Sequence, residues 1–399
     1  MLCVCTSIAG RPLLRGLLFY GIYAILYLNL NAERNELIHL NRIPALSAIL
    51  REEDADAMLL TGEVNLIYIT GMTALEGQCL ILPDDTAVFV TDGRYTEVAE
   101  QQLRPRGFEV LTRSNLSGMY DFLRSVLEQR GVRRLMYEDD VLTVSDFALM
   151  REQLQLTFQP VGDRIRRLRA CKSPEEIACI VRAQQIAEGA LSRLLPELHA
   201  GITEREAAAR LNYYMALGGS EKPSFDTILL FGENTSKPHG VPSDRVLREG
   251  DFILADFGAV YHGYHSDMTR TVAYGCATDE MRQVYETVLA AQEAAAQAAR
   301  EGMLCCNMHE AAMHVIEQAG YGRYFTHALG HSVGLEIHET PVASPRCEKP
   351  LTAGIVMTDE PGIYMPGKFG VRIEDMLLIE GDTPRDLTAF PKALEILPV

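Results

Sequence analysis

The chain has no tryptophan, no Cys-x-x-Cys pair, no low-complexity tract and no short-period repeat. Each absence removes a class. Nine cysteines, an odd number scattered over 399 residues, exclude a zinc ribbon and argue against a disulfide scaffold. Basic residues are outnumbered 37 to 54, giving a formal net charge of −17. Such a surface does not attract nucleic acid or an anionic membrane. What remains is globular: 47% hydrophobic and 23% charged, enough for a sizeable core. At roughly 150 residues per domain the length suits two to three domains. These features describe an acidic cytoplasmic enzyme or binding protein.

The amino terminus stands apart. Residues 16–32 carry no charge and are apolar as far as Leu28, with Arg11 and Arg15 before them. That run sits at the lower limit of a membrane span of roughly 17–25 residues, and two asparagines dilute it. A positive flank suits a signal peptide, but no clean Ala-x-Ala cleavage site follows. Residues 1–36 are expected to be an extension outside the fold, an anchor or export signal being the alternative.

Residues 37–162 alternate helical and strand patterns. A helix is predicted over 35–52, interrupted by Pro44, and further helices over 95–103, 116–130 and 144–154. Short strands are predicted over 57–61, 66–70, 79–82, 87–91 and 135–138. Alternation of this kind implies a smaller α/β domain with a largely buried sheet. It concentrates neither histidine nor paired carboxylates, and reads as scaffold or lid.

The boundary falls at a basic cluster, Arg164, Arg166, Arg167, Arg169 and Lys172, which reads as a solvated connector because no aromatics interleave it. Ser173-Pro174-Glu175-Glu176 then starts a helix with a capping serine, an early proline and a glutamate at the third position. Thr203 and Glu206 form a second such start. Helices are predicted over 279–300 and 307–319, and strands over 227–231, 252–259, 266–274, 355–360 and 371–379. Helix pairs leading into antiparallel strands make residues 163–399 an α+β domain.

Two motifs mislead. Gly330-His331-Ser332-Val333-Gly334 matches the Gly-x-Ser-x-Gly nucleophile elbow, but that mechanism needs a histidine base well downstream, and none follows His338. His309 and His314 flank a near-match to the His-Glu-x-x-His zinc helix with one residue too many. Positions five apart on a helix diverge by about 140°, so they read as surface histidines.

The chemistry lies elsewhere. Asp256 and Asp267 bracket a turn at Tyr261-His262-Gly263-Tyr264; in an antiparallel hairpin they become near-opposed on one face. Glu360 and Glu374 bracket Pro-Gly turn signals at 361–362 and 366–367 and repeat the arrangement, with His331 upstream. Like charges so placed among Ile253, Leu254 and Phe257 destabilise one another unless cations intervene. Four carboxylates and one imidazole suit two divalent ions, and the oxygen-rich set favours manganese or cobalt over a thiolate-preferring metal. Such a pair holds a bridging hydroxide at neutral pH and polarises a carbonyl.

The stretches Pro238-His239-Gly240, Asp256 to Asp267, His327-x-x-Gly330-His331 through His338-Glu339, Glu360-Pro361-Gly362 and Arg372-x-Glu374-Asp375 resemble the pita-bread metallopeptidases. That family includes methionine aminopeptidase, aminopeptidase P, prolidase and the metal-free creatinase. The likeness spans 37–399 and implies a creatinase-like amino-terminal domain before a pita-bread catalytic domain. It implies that Asp256 binds one metal, that Asp267 and Glu374 bridge both, and that His331 and Glu360 complete the other. His239 and His338 match the family's substrate histidines, and His327 the histidine lining the site. Manganese is the first expectation for the metals, with cobalt or zinc as alternatives. The resemblance also implies a homodimer.

The reading is an Xaa-Pro aminopeptidase acting on short peptides, the bridging hydroxide attacking and Glu374 serving as acid/base. Its rivals are a prolidase restricted to Xaa-Pro dipeptides and a peptidase-like binding protein without catalysis. A prolidase needs a cation for the substrate carboxylate. Arg372 is one candidate; Arg346 is the other, since the family's frequent arginine is replaced by Val342. Asp359 stands where an apolar residue is usual, and is expected to point away from the metals and pair with a base.

Overall fold

The computed structural model describes residues 41–114 and 118–399. The expectations for 1–36, and the first part of the helix over 35–52, lie outside them. Its remainder is the helix Ile43–Glu52, with Pro44 in the first turn, where a missing N–H costs nothing.

The first layer is a six-stranded sheet of β1 (Ala57–Leu60), β2 (Gln78–Ile81), β3 (Ala87–Asp92), β4 (Phe108–Arg113), β5 (Arg134–Tyr137) and β6 (Thr157–Pro160). Its order is β4-β3-β2-β1-β5-β6, with β2 antiparallel to both neighbours and the other pairs parallel. Helices Met119–Gln129 and Val144–Leu154 bury one face through Leu123, Val126, Leu127, Met150 and Leu154. Strands β4 and β6, at the two edges of the sheet, were not among those predicted.

Residues 66–70 are helical, not a strand. The helix Glu63–Thr70 begins where the Glu138 carboxylate accepts from the backbone N–H groups of Thr61 and Gly62 and from the Asn65 amide. An anion at a helix start satisfies otherwise orphaned donors. Gly71, at φ 68°, ends the helix in the left-handed conformation. Periodicity cannot see either signal in a run of five buried or half-buried residues.

Helix Pro174–Leu194 carries the full capping box at Ser173 and Glu176. With helix Glu204–Leu217 it packs on β7 (Ile228–Phe231), β8 (Phe252–Phe257) and, beyond the short pair β9 (Val260–Tyr261) and β10 (Tyr264–His265), β11 (Met268–Tyr274). Helices Asp279–Ala298 and Cys305–Gln318 cover the second set: β12 (Gly330–Ser332), β13 (Glu339–Ala343), β14 (Val356–Asp359), β15 (Gly362–Met365), β16 (Phe369–Arg372) and β17 (Asp375–Leu378). The strand expected over 371–379 is thus two, parted at Ile373-Glu374. Among the described residues no helix is long and apolar enough to cross a membrane.

The basic cluster is only partly a solvated connector. Residues Arg164–Ala170 form a helix; Arg166 and Arg167 face outward onto Asp140 and Asp163, while Arg169 and Lys172 are buried. His309 is also buried: its ring stacks on Phe325 at 5.4 Å, whereas His314 is exposed and bonded to Gln318. A five-residue offset does separate the two rings, but it puts one inside.

Candidate metal centre

One hairpin brings the aspartates together. Strands β8 and β11 pair so that Asp256 lies opposite Thr269, and the ladder resumes at Val260–His265 and Tyr261–Tyr264. The turn is His262-Gly263 at φ 49° and 78°, the two-residue left-handed geometry that suits strand twist. Asp267 is therefore diagonal to Asp256, two positions from Thr269 and on the same face. A Cβ on Gly258 would meet the Ser266 carbonyl oxygen at 1.9 Å, so this close crossing requires glycine.

A second hairpin presents the glutamates. Strands β14 and β17 pair up to Asp359–Asp375, and β15 and β16 pair from Gly362–Arg372 outward. Glu360 and Glu374 face each other in the interruption between the two ladders. The hairpins join at Thr269 and Glu374: the Glu374 N–H donates to the Thr269 carbonyl at 3.1 Å, and Thr269 Oγ1 donates to Glu374 Oε2 at 2.7 Å. Carboxylate oxygens of Asp256, Asp267 and Glu374 lie within 4.8 Å of one another, all buried.

His331 completes the ring. Its Nε2 lies 3.6 Å from both Asp267 Oδ2 and Glu360 Oε1, and its Nδ1 is 3.2 Å from the Ser332 carbonyl. A proton on Nδ1 leaves the Nε2 lone pair aimed at the carboxylates, the arrangement a metal ligand needs. The His338 ring stands edge-on to it, centroids 4.4 Å apart, and is itself exposed. His327 Nε2 is 2.9 Å from the Tyr364 hydroxyl, which also accepts from Arg372 Nη1 at 2.8 Å. His239 is exposed, and the Pro238 carbonyl before it lies 3.5 Å from Arg372 Nη1.

Arg372 is turned inward. Its Nη2 donates to Asp256 Oδ2 and its Nε to Thr269 Oγ1 at 3.0 Å. Arg346, by contrast, is exposed in the turn between Ser344 and Cys347. Arg372 thus lies in the carboxylate pocket and Arg346 on an exposed loop, but the internal engagement of Arg372 was not expected. Tyr364 and Thr269 were missed altogether, since nothing in their spacing marks them.

Burial pushes Asp267 and Glu374 well above the ordinary carboxyl range, and repulsion from Asp256 and Glu360 adds to it in both. Glu360 is pushed to about 8 by burial, with Asp256 adding and Arg372 opposing. His331 and His327 fall to about 4 through burial. Asp256 Oδ1 is buried with no hydrogen-bond partner among the described residues. Four crowded carboxylates facing one guanidinium, with an orphaned oxygen and a neutral imidazole, fit a pair of divalent ions.

The base expected beside Asp359 is not found among the described residues. Both its oxygens are buried without a hydrogen-bond partner among the described residues, and burial beside Asp375 holds the group well above its ordinary range. Arg270 and Lys392 are engaged by Asp375, which sits opposite it. Ser332, the serine of the false elbow, is fully buried and its hydroxyl has no hydrogen-bond partner among the described residues.

A family model described as metallopeptidase family M24 matches residues 178–381, and one described as the creatinase/prolidase N-terminal domain matches 42–171. The chain belongs to metallopeptidase family M24. An Xaa-Pro dipeptidase of Pyrococcus furiosus is 36% identical over 354 residues, covering 88% of this chain and 99% of the relative. A solved Xaa-Pro dipeptidase from Bacillus anthracis aligns with a TM-score of 0.85 at 35% identity, covering 90% of this chain and 100% of that one. An X-Pro aminopeptidase from Thermotoga maritima gives 0.83 at 34%, covering 88% and 99%. The M24 fold is therefore the pita-bread one, behind a creatinase-type amino-terminal domain, and the protein is a metallo-exopeptidase.

Proposed function

We propose that this M24 enzyme hydrolyses the bond between an amino-terminal residue and a following proline. Xaa-Pro dipeptides are substrates, and longer peptides are accepted too. The observation that carries the reading is the convergence of three buried carboxylates, the half-buried Glu360 and His331 beside an exposed His338. The names of the Pyrococcus and Bacillus relatives support dipeptides. Longer peptides are supported by Arg372, whose guanidinium is engaged internally and offers no clamp for a terminal carboxylate.

In this reading Asp256 would serve one ion, His331 and Glu360 the other, and Asp267 and Glu374 would serve both. Manganese is the first choice, given the oxygen donors. Two ions so held supply a water deprotonated at neutral pH and a Lewis-acid contact for the carbonyl oxygen. A bond to proline offers no N–H for a protease to grip, so the remaining work falls to groups that act on the carbonyl side. His338 and His239, at the exposed edge, donate to the carbonyl oxygen as it gains charge. Glu374 would take the proton that the nucleophile still carries and return it to the proline nitrogen as the bond breaks; Thr269 Oγ1 fixes the orientation of its carboxylate. His327, paired with Tyr364, lines the pocket. A division of the chain into domains 37–162 and 163–399, and a homodimer of two such chains, belong to the same proposal, and sedimentation tests the dimer. The activity test is turnover of an Xaa-Pro dipeptide by manganese-loaded protein; inert dipeptide and inert proline-second tripeptide together reject the function.

A further inference from the structure

The carboxylate of Glu339 fills the inside of the bend that carries His338. Its Oε1 accepts from the Glu336 backbone N–H at 3.4 Å, and a Cβ on Gly334 would fall 2.7 Å from its Oε2. From outside the bend, Arg169 Nη2 reaches Oε1 at 2.6 Å and Glu336 Oε2 at 2.5 Å, while Lys172 Nζ reaches Oε2 at 3.0 Å. The side chains of Arg169, Lys172 and Glu339 are 5%, 1% and 5% exposed. Arg169 Nη1 continues to Asn65 Oδ1 at 3.1 Å, on the helix Glu63–Thr70, and the Asn65 amide donates to Glu138.

Burying two cations around one carboxylate is a poor way to gain stability, because desolvation offsets the attraction. What it does provide is a bend with one conformation, since moving any partner strands a buried charge. We infer that Arg169, Lys172 and Glu339 are positioning residues: the two cations grip the Glu339 carboxylate and thereby hold His338 over the carboxylate pocket, and Asn65 ties this brace to the amino-terminal layer. The inference rests on the proposed role of His338. It makes the amino-terminal domain part of the catalytic geometry through a route other than covering the site.

The experiment uses the full-length, manganese-loaded protein. Arg169→Met, Lys172→Met and Asn65→Ala are each made in the parent and on a His338→Ala background, with kcat, KM and metal content measured. A misplacement of about 1 Å costs up to about a hundredfold in rate, so Arg169→Met and Lys172→Met should lower kcat by about tenfold or more. KM should stay within about twofold and the ions be retained, since substrate and metal contacts are untouched. On the His338→Ala background the same changes should cost no more than about twofold, because the group they position is gone. Asn65→Ala alters no charge and gives the same comparison if the buried-cation variants fail to fold. The inference is overturned if a folded variant costs as much without His338 as with it, if the loss tracks metal content, or if folded variants leave kcat unchanged. Should His338→Ala itself leave kcat unchanged, the role of His338 falls first and this inference with it; a catalytic loss from His338→Ala with additive Arg169→Met overturns only the positioning.

Discussion

Arg372 spends its guanidinium on Asp256, across from one hairpin to the other. An arginine so engaged cannot also receive a substrate carboxylate without releasing a carboxylate of the metal pocket. Amidating an Xaa-Pro dipeptide should therefore cost less than about tenfold in kcat/KM, since no charge-assisted bond of about 1.5–3 kcal/mol is lost. A proline-second tripeptide should be cleaved. Refusal of the tripeptide, with an amide penalty of about tenfold or more, would mean a dipeptide-restricted enzyme, and Arg346→Ala should then reproduce the loss.

Metal content is the second expectation. Purified protein should hold about two divalent ions per chain and lose turnover to chelators. Asp267→Ala should abolish binding, whereas His338→Ala and His239→Ala should keep the ions and lower kcat by roughly 10²–10³. Elemental analysis decides: histidine variants that lose metal as badly as Asp267→Ala contradict these roles.

The crowded carboxyls also predict how stability depends on pH. Glu360 is raised from 4.5 to about 8 in the folded metal-free protein, so between those values the folded state binds more protons than the unfolded one. Its contribution is present at low pH and is lost as pH rises through about 8. His331 and His327, lowered to about 4, act oppositely, but only below their ordinary 6.5. The metal-free protein should therefore lose thermal stability from about pH 6.5 to 8, and the metal-loaded protein should not. Parallel melting curves for the two forms across that range would contradict it.

Asp359 carries a fourth expectation. Replacing a buried, unpartnered carboxyl by an apolar group of similar size removes a desolvation cost of about 1–3 kcal/mol. Asp359→Val should raise the melting temperature of the metal-free protein; an unchanged or lower value in calorimetry refutes the account.

Much of this was legible in the chain. Capping residues Ser173 and Thr203 announced their helices, and the turn at His262-Gly263 announced the hairpin that gathers Asp256 and Asp267. Local spacing encodes such features. What was not legible depended on partners distant in sequence. The helix at Glu63–Thr70 is started by Glu138, and Arg169 and Lys172 are buried because Glu339 meets them. Asp359 was expected to pair with a base and does not, because its strand neighbour Asp375 takes Arg270 and Lys392, a competition no single segment displays.

The bridge between Thr269 and Glu374 joins residues 105 positions apart, and the two hairpins it links each hold only part of the carboxylate set. Neither hairpin alone can chelate. Contacts so distant in the chain form late in folding, after loop closure has been achieved by other means. Added metal should consequently slow unfolding while leaving the refolding rate nearly unchanged, because the transition state lacks the completed chelate. The ions then act as a latch on the finished molecule and give no help to the chain on its way there.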